Sequence, residues 1–165
     1  MKMSDTRQIA AAPSEVYAAL LNPEVLKACV TGATAVSGDP ENGFEASVTQ
    51  KVGPVKATFK GQVTLSDMVE NESLTITGEG KGGAAGFAKG GAEVLMSASD
   101  GGTELSYDVE AKVGGKIAQL GSRLIDGFAK KMADEFFTRF QDALEAPEEG
   151  SDEAEAMAEG TAEAP

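Results

Sequence analysis

Residues Val113–Leu144 read VGGKIAQLGSRLIDGFAKKMADEFFTRFQDAL. Apolar or small side chains fall at Ile117, Leu120, Gly121, Leu124, Phe128, Met132, Phe136, Phe140 and Ala143. The steps are mostly three and four, the period of one helix face. Lys116, Arg123, Asp126, Lys130, Lys131, Asp134 and Asp142 occupy much of the rest. Asp126 with Lys130, and Asp134 or Glu135 with Arg139, are spaced to pair one turn apart. The pattern predicts a single amphipathic helix, roughly 45 Å long at about 1.5 Å per residue. A sheet of about seven strands spaced near 4.8 Å is roughly 30 Å wide, so such a helix would cross it.

The chain before this helix reads as the sheet that receives it. Met3, Asp5, Arg7 and Ile9 alternate in a first strand. Pro13 then stands at a first helical position, and Val16, Tyr17, Leu20 and Leu21 give a short amphipathic helix. Pro23 stops it, and Glu24 to Ala28 make a second helical turn. From Ala33 to Val113 the chain alternates with short turns between strands, which implies antiparallel neighbours. The cleanest period-two run sets Val55, Ala57, Phe59, Gly61, Val63 and Leu65 against Lys56, Thr58, Lys60, Gln62 and Thr64. The last strand sets Thr103, Leu105, Tyr107, Val109 and Ala111 against Glu104, Ser106, Asp108, Glu110 and Lys112. Strand, two short helices, six strands and a long helix make an α+β architecture of helix-grip form. The domain spans 1–145. Residues 146–165 are acidic, Ala-rich and without apolar period, and read as a disordered tail.

Composition excludes several functions. The 165 residues carry a net charge of −13; residues 146–165 hold seven acids and no base, which leaves −6 on the rest. A body of that sign argues against nucleic acid. Histidine is absent, which removes the commonest metal ligand and general base. The lone cysteine, Cys29, forms no intrachain disulfide, and the first residues have no secretory h-region; both suit the cytoplasm. No run approaches the roughly 18 apolar residues of a membrane span.

The inward phase of the middle strands is small: Ala57, Gly61, Gly78, Gly80, Gly90 and Ala92. Two readings compete. These residues either let the sheet curl and the helix lie close, or they leave a space that holds a ligand, since interiors are otherwise close-packed. In the second reading Phe59, Gly61, Met96 and Tyr107 from the strands and Ile117, Leu120, Leu124 and Phe128 from the helix line a lipophilic cavity. The helix then faces the cavity from Ile117 to Phe128 and closes the core from Met132 to Phe140. Phe87, isolated in a glycine-rich hairpin, is either a tip that touches ligand, lipid or partner, or a side chain folded back into the core. Gly78-Glu79-Gly80-Lys81-Gly82-Gly83 fits G-x-G-x-x-G, but a strand rather than a helix is expected after it, so a dinucleotide site is not expected. Two lysine sets, Lys51, Lys56 and Lys60, and Lys112, Lys116, Lys130 and Lys131, are solvated surface or a dock for an acidic partner or lipid headgroups.

Four stretches resemble the CoxG family of the START/Bet v 1-like (SRPBCC) superfamily. They are APSEVYAALLNPEVLKACVTG (12–32), VGPVKATFKGQVTL (52–65), GEGKGGAAGFAKGGAEVLM (78–96) and GGTELSYDVEAKVGGKIAQLGSRLI (101–125). The last is the most specific. The family motif Cys-Ile-Pro-Gly-Cys stands here as Cys29-Val30-Thr31-Gly32-Ala33, without its proline and second cysteine, so no redox role passes to Cys29. The resemblance implies a non-enzymatic accessory protein, without a covalent cofactor, that links a carbon monoxide dehydrogenase or related molybdenum hydroxylase to the inner face of the cytoplasmic membrane. Joined to a lipophilic cavity, it implies a carried ligand such as a quinone. A recruitment protein with a filled core is the alternative. An enzyme acting on a hydrophobic substrate would need Tyr107 or a carboxylate in the cavity.

Overall fold

The computed structural model describes residues 1–145; the tail expected at 146–165 lies outside the described residues. Seven strands form one antiparallel sheet: β1 (Lys2–Ile9), β2 (Ala33–Asp39), β3 (Gly43–Val52), β4 (Val55–Val69), β5 (Ser73–Lys81), β6 (Phe87–Ser99) and β7 (Gly102–Gly114). The order β1-β7-β6-β5-β4-β3-β2 leaves β1 and β2 at the edges. Between them in sequence lie α1 (Pro13–Leu20) and α2 (Pro23–Cys29). Both begin at proline, whose missing N–H costs nothing in a first turn, and the Asn22 side chain caps α2 by accepting from the Glu24 N–H at 2.9 Å. α3 (Ser122–Glu145) fills the concave side and packs against β1, β3 and α2. The helix-grip expectation holds.

The final helix is shorter than its periodicity predicts. β7 continues to Gly114, and Lys116–Leu120 form a 3-10 turn before α3 starts at Ser122. Gly115 at φ +81° and Gly121 at φ +94° bound that turn. Both conformations favour glycine and break an α-helix. The 24 residues of α3 span roughly 36 Å. Ile117 and Leu120 continue the apolar spacing but lie in the turn.

The two ends of the sheet–helix interior are packed differently. At one end Ile9, Val16, Cys29, Leu74, Val94, Met96, Leu105 and Tyr107 pack with Phe137 and Phe140 of α3 in one buried cluster. The Phe137 ring stacks on Tyr107 at 5.3 Å and meets Phe136 and Phe140 edge-on at 5.1 and 6.2 Å. Thr103, fully buried, donates its hydroxyl to the Ala11 carbonyl at 2.7 Å and ties β7 to the start of α1. Arg7 of β1 reaches Asp134 of α3, lies 3.4 Å from Asp5, and sits 5.2 Å from the centroid of the Phe137 ring. This end is filled.

Candidate ligand-binding site

The other end of the interior holds a cavity of about 450 Å³, within the roughly 300–1,000 Å³ range of small-molecule sites. Its sheet wall is built by alternation: Val48, Gln50 and Val52 of β3, Phe59 of β4, Ala88 of β6, and Val109, Ala111 and Val113 of β7. Met1 and Met3 contribute at the β1 edge, and Ile117 comes from the 3-10 turn. Ile125, Phe128, Ala129, Met132 and Ala133 of α3 complete it. Helix and sheet are both lean here. Ala129 and Ala133 face Ala88 and Ala111, whereas the next turns of α3 carry Phe136, Phe137 and Phe140. The space follows from that gradient in side-chain size.

The lining is apolar. No ionisable side chain borders the cavity. Gln50 supplies a polar group, and its amide already donates to the Thr31 carbonyl. Among the lining residues only Val52 and Ile117 are buried; Phe59, Phe128 and Met132 remain partly accessible. A closed core would bury them. Such walls recognise shape and apolar surface rather than charge. A ligand here would gain roughly 25 cal/mol for each Å² of apolar surface it removes from water.

Of the residues named from sequence, Phe59, Ile117 and Phe128 line this cavity. Met96 and Tyr107 do not. They share its sheet face but lie at the filled end, where Tyr107 stacks on Phe137. Leu120 and Leu124 lie outside it as well. Both sit beside Gly53 at the β3–β4 turn, and Leu124 is 41% exposed. Gly61 does not line it, and a Cβ there would meet the Glu79 carbonyl of β5 at 3.4 Å. Phe87 is also misplaced by the sequence reading. It pairs with Lys81 and Gly114, in the outward phase of β6, and its ring covers Gly114 on the convex face.

The small inward residues prove not to be the cavity's origin. Ala57, Gly61, Gly78, Gly80, Gly90 and Ala92 are absent from its lining. They do not admit the helix either: side chains added at Gly61, Gly78, Gly80 and Gly90 would meet only sheet atoms. At Gly90 an added Cβ would lie 2.2 Å from the Glu110 carbonyl, so close strand approach requires glycine there. The lining residues missed from sequence include Met3, Gln50, Val113, Ile125, Ala129 and Met132. Their inward phase was legible on β3 and β7; their position along the strands was not.

Titratable groups with displaced pKa values lie outside the cavity. Burial pushes the Cys29 thiol up, against a smaller opposing pull from Arg139, and a protonated thiol is a poor nucleophile. Burial also raises the Tyr17 hydroxyl, with Glu70 adding to it. Lys130 and Arg7, both bonded to Asp134, hold its carboxyl below the usual range. Burial would lower the Arg7 guanidinium, but Asp134 and Tyr107 together raise it. Among the described residues no cluster of His, Cys, Asp or Glu has the arrangement of a metal site. The G-x-G-x-x-G run lies in β5 and the short 3-10 turn Gly83–Ala85, and β6 follows it. There is no helix N-terminus to take a pyrophosphate. No described helix is long and apolar enough to cross a membrane.

Comparison with known proteins agrees with the fold. The chain is similar to a conserved protein from Geobacillus kaustophilus, at 24% identity over 88% of this chain and 95% of that one, with a TM-score of 0.82. A protein from Mycobacterium smegmatis aligns at 17% identity over 90% and 93% of the two chains, with a TM-score of 0.64. Ara h 8.0201, a Bet v 1-like protein, aligns at 10% identity over 88% and 98%, with a TM-score of 0.60. At these identities the likeness carries the fold alone. No curated protein matches the sequence. The family model for the carbon monoxide dehydrogenase protein CoxG matches residues 6–145, and with that match the chain belongs to the CoxG family, on a Bet v 1-like helix-grip fold.

Proposed function

We propose that this protein is a non-enzymatic accessory of a carbon monoxide dehydrogenase-type molybdenum hydroxylase, and that it holds a lipophilic molecule of the quinone class. In this role it links the enzyme to the inner face of the cytoplasmic membrane. Family membership supports the accessory role. The observation that carries the ligand is the 450 Å³ cavity without an ionisable wall residue. A general acid–base reaction needs a titratable group within hydrogen-bond reach of the substrate, and these walls offer none. A quinone or another isoprenoid or acyl molecule asks only for apolar area. A dehydrogenase that passes electrons to the membrane has a use for such a carrier.

The test is extraction of the protein, purified from its own host, with organic solvent followed by mass spectrometry. An isoprenoid or acyl compound near one molecule per chain is expected. Extracts that contain none would remove the ligand from this reading and leave a recruitment protein.

A further inference from the structure

The outward phase of the sheet carries lysine where the inward phase walls the cavity. Lys51 lies between Gln50 and Val52, Lys60 follows Phe59, Lys89 follows Ala88, and Lys112 lies between Ala111 and Val113. Strand register sets lysines against one another: Lys51 opposite Lys56, Lys60 opposite Lys81, and Lys89 opposite Lys112. All six are exposed, and none forms an ion pair with another described residue. Like charges directly opposite one another destabilise a sheet, so three such pairs at one end oppose folding. Glu79, opposite Lys89 in register, is the acid interleaved with them. Farther along the same face the sign reverses, with Glu93 opposite Asp108.

Two exposed apolar side chains accompany the lysines. Phe87, 42% exposed, stands in the same cross-strand row as Lys60 and Lys81. Leu124, 41% exposed, sits beside Gly53 in the turn between Lys51 and Lys56. Lysines whose heads reach headgroups, beside an aromatic and an aliphatic tip, are the composition of an interfacial surface. The whole chain is acidic at −13, so attraction to an anionic surface must be local. Beyond a Debye length of about 8 Å the remaining charge is largely screened.

We propose that this end of the convex face, outside the cavity wall, is a docking surface for the anionic headgroups of a lipid bilayer. It deepens the carrier reading, because it would set the cavity end of the molecule against the source of its ligand. The partner is chosen by charge complementarity and by the apolar tips.

Co-sedimentation of the full chain with vesicles tests it. Vesicles of phosphatidylcholine with phosphatidylglycerol should bind the protein, and phosphatidylcholine alone should not. Raised salt should release it. Lys60→Glu with Lys89→Glu should weaken binding at least tenfold, since each lysine near an anionic surface contributes a several-fold effect. Lys81→Glu alone should weaken binding while leaving the melting temperature unchanged or raised, because it turns a like pair into an opposite one. Lys130→Glu with Lys131→Glu, on α3 and paired with Asp134 and Glu135, should leave binding unchanged. Equal binding to neutral vesicles, no binding to either, or indifference to the Lys60 and Lys89 reversals overturns the proposal. So does a result in which those reversals spare vesicle binding but weaken association with the dehydrogenase, which would assign the patch to a protein. Ligand in extracts without vesicle binding overturns the docking face and keeps the cavity reading; vesicle binding without ligand does the reverse.

Discussion

Ala129→Leu separates a cavity from a filled core by the sign of its effect. Ala129 is a half-buried residue of α3 that faces Ala88 and Ala111 across the space. The change adds three carbons. At about 0.8 kcal/mol per buried carbon, complete burial would contribute about 2.4 kcal/mol. The walls are partly accessible to water, so about 1 kcal/mol is a fairer figure. For a chain of this length that raises the melting temperature by about 2–4 °C. In a close-packed core the same insertion would overpack and cost about 1–3 kcal/mol. Thermal unfolding of solvent-extracted protein, followed by far-UV circular dichroism, reads the difference. A fall of several degrees would refute the reasoning, because it would mean that Ala129 has no room before it.

Further outcomes follow from the geometry. Leu124→Trp, at an exposed position beside Gly53, should leave ligand content unchanged, whereas Ala129→Phe should reduce it; paired extracts measure both. Phe137→Ala should cost about 3–5 kcal/mol in denaturant unfolding, since it removes a buried ring that stacks on Tyr107. Asp134 has a lowered folded pKa, so its contribution is present above the ordinary carboxylate pKa near 4 and is lost as pH falls through the depressed folded value. Asp134→Asn should therefore lower the melting temperature at neutral pH. The gap from wild type should close as the pH is taken well below about 4.

The elements were legible because their residues follow the periods of strand and helix. Alternation located β4 and β7, and Pro13 and Pro23 located α1 and α2. The start of α3 was not, because Ile117 and Leu120 keep the helical spacing by coincidence. What breaks the helix is the left-handed backbone at Gly115 and Gly121, which periodicity does not register. Face was legible at the site, and depth was not. Phe59, Met96 and Tyr107 all point inward, but only register and the seating of Phe137 decide which end of the interior is plugged. Phe87 shows the same limit. In a run of glycine and alanine the phase cannot be counted, and pairing with Lys81 and Gly114 turns the ring outward. The lysines are visible singly in the sequence. Their opposition across strands needs the register.

The central claim is that the lean half of the interior holds a lipophilic molecule. Native mass spectrometry of the intact protein, purified gently from its own host, tests it most directly. The account predicts a mass excess equal to one lipophilic molecule per chain, diminished in Ala129→Phe. A bare polypeptide mass in wild type would contradict it.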